Sequence, residues 1–110
     1  MKPKYKVEFP DYDDTLPRLA GFTDSSWRND ASPSISREID PDTAANPKVL
    51  TIFVDYKDPS LREKYEQGYR YAVVIFSPYA GDKTMETLLA TSDWSEVVKL
   101  TNEIKWEGIE

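Results

Sequence analysis

Tyr69-Arg-Tyr-Ala-Val-Val-Ile-Phe-Ser77 is the stretch on which the reading of this chain turns. From Ala72 to Phe76 it is apolar without a break and rich in β-branched residues, so both of its faces seek cover. The run is far too short for a bilayer, which takes about 20 apolar residues as a helix. A segment of this length and type reads as a central strand with a layer above and below it.

The neighbours on either side extend that strand into a sheet. Val49-Leu-Thr-Ile-Phe-Val-Asp-Tyr56 alternates, with Leu50, Ile52, Val54 and Tyr56 on one face and Val49, Thr51, Phe53 and Asp55 on the other. Between the two strands, Asp58-Pro59, then Leu61, Tyr65 and Gly68, spell a short helix with an N-cap, a proline at the first position and a glycine stop. Beyond them, Pro78-Tyr-Ala-Gly-Asp82 is turn chemistry, and Thr84 to Thr91 reads as the returning strand of a hairpin. The strongest helix signal follows. Asp93 and Glu96 form a capping pair, and Trp94, Val97, Val98, Thr101 and Ile104 recur at helical spacing. Trp106 and Ile109 read as a tail packing back onto the core.

The first half of the chain is less regular. Six of its eight prolines lie there, at positions 3, 10, 17, 33, 41 and 47, and proline removes donors and fixes φ. Residues 4–9 alternate, with Tyr5, Val7 and Phe9 opposite Lys4, Lys6 and Glu8, which predicts an opening edge strand between Pro3 and Pro10. Leu16, Leu19 and Phe22 have the spacing of one helical turn. Ser34 to Ile39 reads as a short strand, and residues 40–47 as a turn or loop. The order of elements predicts an α+β fold in one domain spanning residues 1–110. Its antiparallel sheet has four or five strands, one C-terminal amphipathic helix packed on a face, and a short helix between two strands. One such helix covers one face. The other is left to the proline-rich segment, a second copy of the chain or a ligand.

Composition narrows the chemistry. In 110 residues there is no Cys and no His, which removes disulfides, thiolate and imidazole ligands, and the usual nucleophile–base pairs. No cofactor is expected and no metal site. The nearest candidate for a metal, Asp11-Tyr-Asp-Asp14, lacks the glycine and glutamate that would continue a calcium loop. A net charge of −6 argues against direct nucleic-acid binding, which needs clustered positive charge. The basic opening residues lead into no apolar stretch, so no secretory signal, no membrane association and a soluble cytoplasmic protein are expected.

Two constellations stand out. Ser25-Ser-Trp-Arg-Asn-Asp30 places Trp27 to stack on a planar group, Arg28 to hold an anion and Asp30 to direct hydrogen bonds. Asp55, set in an apolar strand, completes this candidate ligand site because burial would shift its titration. Tyr65, Tyr69, Arg70, Tyr71 and Tyr79 surround the central hairpin and are residue types enriched at interfaces. Neither Gly-x-Ser-x-Gly nor Ser-x-x-Lys occurs, and no catalytic residue is assigned. The expectation is a non-catalytic binding or protein-interaction domain that self-associates as a homodimer or meets a protein partner. The alternatives are a small enzyme or ligand carrier with a pocket between sheet and helix, and an acidic decoy of nucleic acid.

Overall fold

The computed structural model describes residues 3–39, 48–62, 68–76 and 85–103. A five-stranded antiparallel sheet runs in chain order: β1 (Thr23–Asp24), β2 (Ser34–Ile39), β3 (Lys48–Val54), β4 (Tyr71–Phe76) and β5 (Met85–Thr91). Among the described residues two helices accompany it, α1 (Lys4–Glu8) and α2 (Trp94–Glu103), with a 3₁₀ turn at Pro59–Leu61. The α+β class, the antiparallel sheet and the C-terminal helix agree with the sequence reading. Among the described residues, no helix is long and apolar enough to cross a membrane.

Register explains why β4 is apolar on both faces. It lies fourth in the sheet, paired with β3 through Ile52↔Val73 and Thr51↔Val74, and with β5 through Val73↔Leu89 and Val74↔Thr87. Side chains alternate, so Val73 joins one face and Val74 the other. The jump from Leu89 to Thr87 leaves Leu88 without a partner residue, a bulge that leaves its side chain 39% exposed.

The first face carries the core. Ile35, Leu50, Ile52, Val54, Tyr71 and Val73 pack with Val97 of α2 and with Tyr5 and Leu16 of the N-terminal segment. Helix α2 is capped as the sequence implies, because the Asp93 carboxylate accepts from the Ser95 N–H at 3.0 Å. The other half of the capping pair works through a relay. The Thr91 hydroxyl donates to the Glu96 carboxylate, while the Asp93 N–H donates to the Thr91 hydroxyl oxygen at 3.0 Å. Asp58 and Pro59 likewise start their turn as predicted, with Asp58 accepting from the Ser60 N–H at 3.0 Å.

The opening segment differs from its prediction. Residues 4–8 form a single turn of helix, not an edge strand. Tyr5 and Phe9, four apart, are both buried, whereas Val7 is 53% exposed. Alternation at 5, 7 and 9 is equally a helical i, i+4 pair plus one outlier, and tertiary partners decide between them. The Tyr5 N–H, which a helix start leaves without an intrahelical acceptor, donates to the Asp24 carboxylate at 2.8 Å. Pro3, in extended conformation at the N-cap, needs no donor there. The predicted turn at 78–82, the loop at 40–47, the continuation of the 3₁₀ turn through Tyr65 and the tail at Trp106 and Ile109 lie outside the described residues.

Candidate functional site

The second face of the sheet holds a groove of about 530 Å³. Its floor follows from the register, since Ser34, Phe53 and Ala72 stand in one cross-strand row and Ser36, Thr51 and Val74 in the next. Strand β2 contributes two serines where β3 contributes Thr51 and Phe53. The small side chains leave a depression between β3 and the loop joining β1 to β2. Residues 25–32 of that loop form the far wall, with Trp27, Asn29 and Asp30 among the lining residues.

The loop is fixed at its base and at its tip. At the base, the Ser25 N–H donates to the Ser34 carbonyl at 2.9 Å, and the two hydroxyls lie 2.9 Å apart. The Ser34 N–H donates to the buried Ser26 hydroxyl at 3.2 Å. Asp24 turns the chain there: one carboxylate oxygen accepts from the Ser26 N–H at 3.0 Å, while the other holds α1 through Tyr5. At the tip, the Arg28 N–H donates to the Glu8 carboxylate at 3.0 Å, and the guanidinium pairs with both carboxylate oxygens at 3.4 Å. The guanidinium hydrogen bonds, and then the one from the Arg28 N–H, hold the Glu8 carboxyl below its ordinary value. A tight turn then brings the Asp30 N–H to the Trp27 carbonyl at 2.9 Å.

Trp27 and Asp30 therefore share the groove wall. The Trp27 side chain is 55% exposed. The Asp30 carboxyl is pushed above its ordinary value by burial. The other two residues singled out for a ligand lie elsewhere. Arg28 turns out to Glu8, and Asp55 is buried at the end of β3, where its carboxylate accepts from the Tyr56 N–H at 2.8 Å.

Asp55 belongs to a polar cluster beside the N-terminal segment. Its backbone carbonyl accepts from the Tyr12 hydroxyl and from Arg70 Nε, both at 3.2 Å. Arg70 also reaches Asp14 at 2.9 Å and lies 5.4 Å from the centroid of the Tyr71 ring. This hydrogen bond lowers the Asp14 carboxyl, while burial pushes the Tyr12 hydroxyl up to about 12. Asp13 accepts from the N–H groups of Lys57 and Asp58, both at 2.8 Å. The acidic run thus spreads over separate partners, and among the described residues no three potential ligands gather into a metal-binding group.

The described members of the aromatic set proposed as an interface occupy different settings. Tyr71 is buried against Trp94, with ring centroids 5.2 Å apart, and Arg70 is engaged as above. Tyr69 is 44% exposed, and Tyr65 and Tyr79 lie outside the described residues. In place of the pocket expected between sheet and helix, the described residues are packed, with Val97, Leu50 and Val73 fully buried. A shallow notch of about 270 Å³ opens at its margin beside Leu88, Leu89 and Leu100.

A second groove, of about 570 Å³, lies on the other side of the sheet between α1 and residues 15–22. Its carboxylate, Asp24, is already engaged by two backbone N–H groups. Among the described residues no backbone N–H donates to Asp30, so its carboxylate stands open to a ligand, whereas the second groove offers Arg18 and Thr15 in place of an open carboxylate.

No protein-family model, no curated protein and no solved structure matches the chain. The site is read from its own geometry.

The floor residues Ser34, Ser36, Thr51 and Val74 were not singled out from the sequence. The alternation in residues 49–56 and the doubly apolar 71–76 run contain the signal that a second face exists. The opposing serines become visible once β2 is placed in register.

Proposed function

We propose that this chain is a non-catalytic binding protein that seats a small, largely apolar ligand in the groove between the β1–β2 loop and the second face of the sheet. The observation that carries this reading is the groove itself. Its volume falls within the roughly 300–1,000 Å³ typical of small-molecule sites, and the apolar side chains of Val49, Phe53 and Val74 meet a few convergent polar groups. Two features speak for binding over catalysis. The serines at the base of the groove are tied to one another and to backbone, and the Asp30 carboxylate of the wall belongs to a separate turn outside that hydroxyl network. Anchoring at Asp24 and Glu8 holds the wall ready, which lowers the ordering cost of binding.

A second copy of the chain is the competing occupant of this face. Thermal-shift screening with neutral aromatic fragments, together with light scattering over about a hundredfold range of concentration, tests the reading. The expected result is a monomer whose melting temperature rises with a subset of fragments, and a Trp27→Ala variant that loses most of the rise. Equal stabilisation of wild type and Trp27→Ala, or a dimer that persists on dilution and excludes every fragment, would overturn it.

A further inference from the structure

The groove also specifies the charge of its occupant, an inference that rests on the groove being the binding site. Among the described lining residues, Asp30 is the one carboxylate and no Lys or Arg accompanies it. Among the described residues neither a hydrogen-bond donor nor a cation acts on that carboxylate, and its burial pushes its titration up. Arg28, the sole cation between Ser25 and Pro33, is held by Glu8. Trp27, in the same turn as Asp30, presents an exposed ring.

Each class of ligand meets this arrangement differently. An anionic group would face Asp30 with no compensating charge. A neutral apolar group would cover the carboxylate further and leave it unpaired, which is costly. An ammonium satisfies it with a charge-assisted hydrogen bond and gains from the face of the indole. The net charge of −6 favours approach of a cation. We infer that the ligand is a small amphiphilic amine, with its ammonium at Asp30 beside the Trp27 ring and its apolar body across Thr51, Phe53 and Val74.

Three probes with one body and three heads test this: 4-phenylbutylamine, 4-phenylbutanol and 5-phenylpentanoate. Each is titrated into the isotope-labelled protein near neutral pH, and affinity is read from the Trp27 indole N–H resonance. The amine should bind about tenfold or more tighter than the alcohol, and the carboxylate more weakly than either. Asp30→Asn should bring amine and alcohol to within about twofold while leaving alcohol binding in place. Trp27→Ala, followed on the Thr51 and Val74 methyl resonances, should weaken all three. If all three bind alike, or Asp30→Asn leaves the preference for the amine intact, the charge assignment fails and the groove stands. If none moves the Trp27 resonance at millimolar concentration, the groove reading itself fails, and the charge assignment with it.

Discussion

Asp24 joins parts of the chain that lie far apart in sequence, taking the Tyr5 N–H on one carboxylate oxygen and the Ser26 N–H on the other. Its loss strands a helix-start donor and unpins the groove wall together. Asp24→Ala should cost about 2 kcal/mol in urea denaturation and weaken ligand binding in the groove, whereas Asp24→Asn, with one carbonyl acceptor, should cost about half as much. Tyr12 offers a second test at this scale. Its hydroxyl donates to the Asp55 carbonyl, so Tyr12→Phe should cost about 1 kcal/mol near pH 7. The unfolded chain ionises this phenol near the ordinary value of 10.0 and the folded chain near 12. Stability contributed by Tyr12 is therefore lost as pH rises between those values, and Tyr12→Phe should fall less steeply than wild type across that window. An identical alkaline slope in the two proteins would contradict this.

At the scale of elements, α1 is where sequence and structure part. A period of two and a period near four share positions 5 and 9, and position 7 separates them. Tyr5→Ala should cost more than about 2 kcal/mol, while Val7→Ala should stay within about 0.5 kcal/mol, because Val7 faces water. Comparable losses at both positions would restore the edge strand. Longer segments were legible because their own residues carry the decision. Ile52, Val54 and Val73 define a strand face, and Val97 and Thr101 a helical one. Five residues at Lys4–Glu8 do not, since the deciding hydrogen bond comes from Asp24, nineteen positions away. The candidate site follows the same division. Trp27 and Asp30 were visible as an unusual local group. That Arg28 leaves them for Glu8 depends on where α1 packs, and that Ser36 faces Thr51 depends on strand register.

For the whole molecule, three carboxylates that tie distant segments together set the response to acid. Glu8 and Asp14 are held below their ordinary values by hydrogen bonds from Arg28 and Arg70. At Asp13 burial pushes upward, but the N–H groups of Lys57 and Asp58 outweigh it and the net direction is down. Folded carboxyls that are depressed contribute stability above their unfolded pKa values, about 4, and lose it as pH falls through the folded ones. Wild type should therefore lose stability on acidification below about pH 4, and Asp14→Asn should show a shallower acid limb in urea titrations at stepped pH. Asp30 has the opposite sign, because its raised carboxyl makes the folded state less stable as pH climbs above the unfolded value. Asp30→Asn should accordingly melt at the same temperature as wild type or higher near neutral pH, while losing the preference for an amine, as expected where binding is set against stability. The two grooves flank the sheet on opposite sides, so the location of a bound probe is the most direct test of the account. Intermolecular nuclear Overhauser effects between the phenyl protons of 4-phenylbutylamine and the protein give that location. The account predicts contacts to the Thr51 and Val74 methyls and the Trp27 ring; contacts to Leu16, Leu19 and Phe22 instead would contradict it.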